Sequence, residues 1–557
     1  MRRLAAGWLL ALAMLLTGLN MFKPVHIDDT VYIRMAEQIA RRPCDPYGYT
    51  LLWYQYPNRG MDILAPPVLP YWLASVVVWA PDQPAVWKLW MFPFCWLLVW
   101  AVDRLFRRFA PGLEAPLVIM TVLSPAVLPG INLMLDMPAL ALGLTGLVLF
   151  LDAARSRSVG RAALAGLVIG LAMQTKYTGF VSLTAVVVYA VVYRRFLLGG
   201  LTMSMATGLF VGWEAWVAGQ YGVSHFLHNV RMYERAGVWS EKWHLAGPLL
   251  SNLGGVGPVV AAFGAAVLAR RRWLALPAAA AALLLYLAVM FAPDDWLMIT
   301  RPGAAGGIHL ENLLFGGCGM ALVGIVLVTA VRLLGGRWRR PDLFLVAWWL
   351  LEVAGYFALT PFPAVRRVLG LVVVSTLLAG RWAIVRRHLW RGWPVHTLAI
   401  LNVALGGMVA LVDWQEAMVQ RRAAERSEAI IRARDPHATI WYVGHWGFQF
   451  YADRAGMRPV VPWYPASPAT ADLPPPTLLR RGDWLVHPDP RIHKQEIELP
   501  ADRLAFLPLL VFGDRLPLRT VICYYGGSVP VQPQRGPRLR VGIAQVTADF
   551  WAQSKGP

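Results

Sequence analysis

Long apolar runs separated by short arginine clusters constrain this fold more than any other feature of the chain. A helix needs about 20 mostly apolar residues to cross roughly 30 Å of hydrocarbon. Hydrophobic residues make up 57% of the sequence and charged residues only 15%, which is unusual for a soluble protein. We therefore predict a polytopic α-helical membrane protein. Thirteen spans are predicted near residues 5–22, 85–102, 114–131, 137–152, 162–177, 178–193, 197–217, 246–268, 274–292, 309–331, 343–360, 365–380 and 394–412.

Two apolar runs, 5–22 and 66–80, could each be assigned in another way. The run 5–22 follows Arg2 and Arg3 as a signal peptide would, but no small-residue cleavage site follows it, so we expect a retained first helix. The run 66–80 is shorter than a span, opens with two prolines and contains Pro70. We expect it to form an interfacial or re-entrant helix.

The arginine clusters test the count, because Lys and Arg accumulate in short cytoplasmic loops. With thirteen spans and the N-terminus inside, every cluster falls on one side; these are 104–108, 155–161, 194–195, 270–272, 332–340 and 381–391. The same parity places the first loop, residues 23–84, and everything after residue 413 outside. The net charge of +20 then indicates membrane orientation rather than binding to nucleic acid.

The composition changes after the last span. We predict a membrane domain over 1–412, a solvated stalk helix over 413–434 and a small C-terminal α/β domain over 435–557. No CxxC pair or metal-ligand spacing occurs among the cysteines, which are Cys44, Cys95, Cys318 and Cys523. The sequence therefore predicts neither a zinc site nor a disulfide framework, and a bond between Cys44 and Cys523 stays open.

Three polar features fall at the predicted outer boundary. Asp28 and Asp29 follow the first span, Asp136 separates two spans, and Lys176 ends another. Each alone has an ordinary structural explanation: an aspartate caps a helix, and a lysine extends from a helix end to the water. Together they predict a polar site at one face of the membrane.

These residues carry a resemblance to a family. The pattern DD-x2-Y-x3-A in the first loop, PP-x3-YW after it, D-x-P at Asp136 and TK-x-TG at Lys176 resembles glycosyltransferase family 39. That family includes aminoarabinose transferases and protein O-mannosyltransferases, which share the membrane-embedded GT-C fold. The resemblance covers residues 1–200 best and is loose in the C-terminal part.

The resemblance implies a GT-C-type bundle and an inverting transferase that uses a polyprenyl-phosphate sugar donor. It implies that Asp28 is the base or orients the acceptor, that Asp136 is the second-loop carboxylate and that Lys176 lies near the donor phosphate. Asp29 stands where the family often has Glu. Ala65 precedes the paired prolines where aminoarabinose transferases have lysine, so the acceptor class stays open between lipid, glycan and protein.

The chemistry supports the same roles without the family. An alcohol acceptor needs a carboxylate to take its proton, and a departing lipid phosphate needs cations near its oxygens. Arg366 and Arg367 begin the twelfth span from the outer side, against the usual charge bias, so they are further candidates for the donor phosphate. Arg59 in the first loop is a weaker one. Snorkelling or headgroup contacts would also explain these arginines.

Other ionisable residues have two explanations each. Asp294 and Asp295 could bind a divalent cation, the one cofactor the sequence suggests, or form a turn and cap. Buried charges at Lys88, Glu214 and Glu352 are either functional or paired within the bundle.

Two other functions compete with a transferase, which the resemblance would place in a bacterial inner membrane. A transporter or flippase would need polar residues near the middle of the membrane, whereas the ionisable residues gather at one surface. A scaffold whose outer domain binds a protein partner would tolerate Asp28→Asn, whereas a transferase would lose turnover.

Overall fold

The computed structural model describes residues 2–53, 55–235, 242–292, 309–335, 339–385, 393–464, 473–489 and 495–554. Helices dominate these ranges: α1 (Arg2–Met21), α2 (Asp29–Arg41), α3 (Val68–Trp79), α4 (Pro84–Leu89), α5 (Phe92–Phe109), α6 (Glu114–Val122), α7 (Asp136–Ser156), α8 (Val159–Thr175), α9 (Phe180–Val192), α10 (Phe196–Tyr221), α11 (His225–Arg235), α12 (Ala246–Val256), α13 (Pro258–Leu268), α14 (Ala275–Phe291), α15 (Leu310–Leu334), α16 (Arg340–Leu359), α17 (Leu369–Val385), α18 (Trp393–Arg434), α19 (Trp446–Arg454) and α20 (Val521–Tyr524). The strands are β1 (Thr50–Trp53), β2 (Tyr56–Arg59), β3 (Ile440–Tyr442), β4 (Arg458–Pro459), β5 (Leu478–Leu479), β6 (Trp484–Pro488), β7 (Leu504–Phe506), β8 (Leu510–Phe512), β9 (Leu518–Arg519), β10 (Gln532–Pro533), β11 (Leu539–Val546) and β12 (Phe550–Trp551).

The chain is a multi-pass membrane protein. Six helical segments within the described ranges are long and apolar enough to cross a bilayer: Pro84–Phe109, α7, α10, α15, α16 and Pro394–Arg434. Two consecutive helical segments, Lys242–Val256 and Pro258–Leu268, contain α12 and α13 and are bent at the break between them. They form a seventh span if they are counted together. The described ranges also contain six shorter apolar helices, among them α3, so the total of thirteen spans stays a prediction.

Two predicted spans differ from the structure. The span predicted over 114–131 is helical only to Val122, because Pro125 and Pro129 disfavour a continuous helix. The backbone there forms turns, and the amide of Val127 donates to Ser124 Oγ at 3.2 Å. The span predicted over 246–268 is bent by 81° immediately before Pro258, which cannot donate a helical hydrogen bond.

The last predicted span and the stalk form one continuous helix of 42 residues, α18. The prediction that its second half is solvated is wrong for one face. Asp413, Glu416, Gln420 and Ser427 are all buried there, because the C-terminal segment packs along them.

The C-terminal segment contains a mixed sheet with strand order β4-β3-β6-β11-β7, in which β8 also pairs with β11. The strand β3 lies parallel to β4 and β6, whereas β11 is antiparallel to β6. Helix α19 connects β3 to β4. Many apolar side chains of this segment, such as Phe448 and Tyr524, belong to the same buried cluster as the membrane helices. The segment is therefore packed onto the bundle over a shared core.

Candidate active site

The start of α2 places two adjacent carboxylates in different surroundings. Successive residues of a helix point about 100° apart, so Asp28 and Asp29 cannot face the same side. Asp28 lines a large cavity. Asp29 is fully buried away from it, 3.6 Å from Lys88 Nζ, and accepts a hydrogen bond from the amide of His26. Burial raises the pKa of Asp29 even though Lys88 opposes the shift. The predicted catalytic pair is thus separated, and the structure does not bring Asp29 to the cavity.

Helix ends supply the next two side chains. Asp136 begins α7, which is the most buried of the six long apolar segments. Lys176 follows α8 in extended conformation, with φ of −158°, and its ammonium group donates a hydrogen bond to Asp136. Two turns that are 40 residues apart in sequence therefore meet at one point.

A short 3-10 turn, Val365–Arg367, supplies two guanidinium groups before α17 begins. Arg366 Nη1 donates to Asp28 Oδ2 at 2.6 Å and lies 3.8 Å from Asp136 Oδ2. Arg367 lies over the Phe362 ring at 5.1 Å, and within the described residues it makes no ion pair. Arg366 therefore joins the two carboxylates, whereas Arg367 makes no direct ion pair with either of them.

One cavity of about 690 Å³ is lined by all five of these side chains, namely Asp28, Asp136, Lys176, Arg366 and Arg367. Counted as ordinary ions, Asp28 and Asp136 contribute two negative charges, whereas Lys176, Arg366 and Arg367 contribute three positive ones. The cluster thus has one positive charge in excess. Asp62 and Glu234 also line the cavity, so the excess of cations is local to this cluster. A local excess of fixed cations favours an anion, and guanidinium groups match the geometry of phosphate oxygens.

The remaining wall of the cavity combines apolar and hydroxyl-binding groups. Tyr32 follows Asp28 by one helical turn, and burial together with the Asp28 carboxylate raises its pKa well above its ordinary value. Its hydroxyl therefore keeps its proton and can donate. Other lining residues include Val31, Asn58, Asp62, Leu64, Phe226, Asn229, Glu234, Leu359 and Phe362.

Helix α11 fixes one side of this wall. His225 Nε2 donates to Ile63 O at 2.9 Å and Nδ1 accepts from Tyr177 Oη at 2.7 Å. Burial lowers the pKa of His225 to about 4, so the ring is neutral and can play both roles. Asn229, one turn later, donates to Met61 O. Sequence analysis missed these residues; the His225/Asn229 spacing of four residues on one helix face was the available signal.

Of the remaining predicted site residues, the structure describes only Arg59. Arg59 ends β2 and is not among the cavity-lining residues. Asp294 and Asp295 lie outside the described residues. Within the described ranges, no group of three or more His, Cys, Asp or Glu side chains is placed to bind a metal ion.

The buried ionisable residues have neighbours in the protein. Lys88 lies beside Asp29. Glu214 accepts hydrogen bonds from Gln174 and from the amide of Phe226, and Glu352 accepts one from Trp348 at 2.9 Å. Lys88, Glu214 and Glu352 therefore each have an ion-pair or hydrogen-bond partner within the protein. All four cysteines are free thiols, so Cys44 and Cys523 do not pair.

No protein-family model matches the sequence, and no curated protein matches it. Several solved structures are similar to the chain, and three of them are described below. The oligosaccharyltransferase AglB from Archaeoglobus fulgidus, in complex with an inhibitory peptide and a dolichol-phosphate, matches at 15% identity and a TM-score of 0.46, over 82% of this chain and 64% of that one. A second structure of the Archaeoglobus fulgidus oligosaccharyltransferase, tethered to an acceptor peptide, matches at 13% identity and a TM-score of 0.44, over 82% and 63%.

ArnT from Cupriavidus metallidurans, bound to undecaprenyl phosphate, matches at 15% identity and a TM-score of 0.40, over 97% of this chain and 98% of that one. The chain thus spans slightly less than two thirds of the archaeal proteins.

Proposed function

We propose that the protein is an inverting glycosyltransferase that moves a sugar from a polyprenyl-phosphate donor to an acceptor hydroxyl. The observation that supports this most is the cluster at the large cavity, in which two carboxylates and three cations line one space. Asp28 and Arg367 both line the same space. A site of this kind can hold a phosphate and, next to it, take a proton from an alcohol.

The reaction follows from these positions. The acceptor oxygen attacks the anomeric carbon of the sugar while Asp28 takes the hydroxyl proton. The bond between the anomeric carbon and the phosphate oxygen breaks, and its electron pair leaves with the polyprenyl phosphate. Lys176 and Arg367 stabilise the negative charge that develops on that phosphate. Attack from the side opposite the leaving group inverts the anomeric centre.

Arg366 and Asp136 have supporting roles in this proposal. Arg366 holds the Asp28 carboxylate at 2.6 Å, and Asp136 holds the Lys176 ammonium group. The volume of about 690 Å³ falls within the usual range for small-molecule sites, which leaves room for a sugar and part of an acceptor. The acceptor is a lipid, a glycan or a protein.

The proposal includes the predicted architecture. Thirteen spans over residues 1–412 would place the cavity at the outer face of the cytoplasmic membrane. The stalk, 413–434, and the C-terminal α/β domain, 435–557, would lie outside as well. The arginine clusters support this orientation.

A transfer assay tests the proposal. Purified protein is offered radiolabelled polyprenyl-phosphate sugars together with lipid, glycan and peptide acceptors. We expect at least one pair to give product, and Asp28→Asn to abolish turnover. The matched control is Asp152→Asn, because Asp152 lies at the other end of α7 and pairs with Arg104. Equal turnover in both variants, or solute flux in proteoliposomes without any transfer, would contradict the proposal.

A further inference from the structure

The turn that presents Asp28 contains an unfavourable backbone conformation. Ile27, immediately before it, has φ of +47°. A β-branched residue rarely adopts this left-handed region, and such strain persists only where neighbouring groups enforce it. Ile27 is also buried, with 2% of its surface exposed. Neighbouring groups must therefore hold this turn in place.

The helix α19 of the C-terminal segment contacts the turn at several points. Tyr451 Oη accepts a hydrogen bond from the amide of Val25 at 3.0 Å. Thr30 Oγ1 donates to the carbonyl of Trp446 at 2.8 Å. A Cβ atom at Gly447 would lie 2.5 Å from the carbonyl oxygen of Val25, so only glycine permits this approach.

The contact carries strain on both sides. Trp446 has φ of +59°, although a bulky aromatic residue also disfavours that region. Most other non-glycine residues with positive φ in the described ranges are arginines in turns and helix ends. The two strained apolar residues are thus part of one interface, between the turn before α2 and the start of α19.

An ion pair extends the contact along α2. Arg34 Nη2 lies 2.5 Å from Asp453 Oδ2, and Tyr442 Oη donates to the other carboxylate oxygen of Asp453 at 2.6 Å. Asp453 is held by two groups and in turn holds α2 six residues after Asp28. The first two turns of α2 are therefore fixed to the C-terminal segment at both ends.

We propose that α19 is a positioning element for Asp28. Tyr451 and Asp453 hold the strained turn and α2 so that the carboxylate lies against Arg366 at the edge of the cavity. Neither side chain lines that cavity, so they act through α2. The catalytic meaning of the inference rests on the proposed function, whereas the physical restraint on the turn does not.

Hydrogen exchange on the full-length protein tests the restraint directly. Tyr451→Phe removes the acceptor of the Val25 amide, and Asp453→Asn weakens the ion pair to Arg34. We expect both variants to speed exchange by at least about tenfold in peptides covering residues 24–34. Peptides from α8 should be unchanged.

The matched control for these variants is Asp483→Asn. Asp483 also lies in the C-terminal segment and accepts from an aromatic donor, Trp441 Nε1, at 2.9 Å, but it does not contact α2. Exchange over residues 24–34 that stays at the wild-type rate in Tyr451→Phe and Asp453→Asn would overturn the inference.

Kinetics then separate positioning from general damage. We expect Asp453→Asn to lower kcat by about tenfold while the Kd for undecaprenyl phosphate stays within about twofold, and Asp453→Glu to recover most of the rate. An equal loss in kcat and in binding would contradict a positioning role. If the wild-type protein transfers no sugar at all, the proposed function fails, and the exchange experiment still decides the inference.

Discussion

Replacing Arg367 by glutamine gives the sharpest test of the anion site. Arg367 makes no ion pair within the described part of the chain, and its Nε has no hydrogen-bond partner there. Its removal therefore breaks no ion pair, because Asp28 keeps its partner Arg366 and Asp136 keeps its partner Lys176. We expect the fold to be retained and the affinity for a phosphate to fall.

The size of the effect follows from the contact that is lost. A hydrogen bond to a charged group contributes about 1.5–3 kcal/mol, and every 1.4 kcal/mol is about tenfold in Kd. Since water can replace part of the contact, we expect a loss of about 2 kcal/mol, which is about 30-fold in the Kd for undecaprenyl phosphate. Microscale thermophoresis in detergent at constant ionic strength measures it.

Two further variants make this result specific. Arg104→Gln is the matched control, because Arg104 pairs with Asp152 at the other end of the bundle, and its Kd should stay at the wild-type value. Arg366→Gln should weaken binding and also destabilise the protein, since it leaves Asp28 without its partner. A change below about twofold in Arg367→Gln would refute the assignment of this arginine to the phosphate.

Three other outcomes are expected. Asp29→Asn breaks a fully buried ion pair and should lower the unfolding free energy by about 3 kcal/mol in a thermal or denaturant melt. The Kd for undecaprenyl phosphate should not change. A change in Kd without a change in stability would show that this residue does reach the site. Tyr177→Phe removes the hydrogen bond to His225 and should cost about 1 kcal/mol of stability in the same melt, and an unchanged midpoint would contradict that bond. Maleimide should label the exposed Cys44 and not the buried Cys523 in the native protein, and labelling of both would contradict the packing of the C-terminal segment.

The sequence predicted the meeting of Asp28, Asp136 and Lys176, because charge parity placed all three at the same end of the bundle. Packed helices that cross the same membrane end at about the same depth, so residues at their outer ends lie in one layer. Arg366 was predicted to belong to the site because charge parity places it on the side of the membrane opposite the other arginine clusters. The structure brings these four residues to the same cavity.

Other features depended on contacts that sequence patterns do not contain. The separate surroundings of Asp28 and Asp29 depend on which helix face is buried, and the partner Lys88 lies 59 residues after Asp29 in a different helix. The buried face of α18 looked solvated because its polar residues are paired with groups from the far C-terminal segment, such as Thr520, which donates to Asp413 and Glu416. Long-range partners of this kind are visible only in the folded chain.

A structure of the protein with bound undecaprenyl phosphate tests the central claim most directly. The account predicts phosphate oxygens within about 3.5 Å of Lys176 Nζ and of the Arg367 guanidinium group, with the Asp28 carboxylate facing the space next to the phosphate. A phosphate bound at another surface, with the cluster of Asp28, Asp136, Lys176, Arg366 and Arg367 unchanged and filled by water, would contradict it.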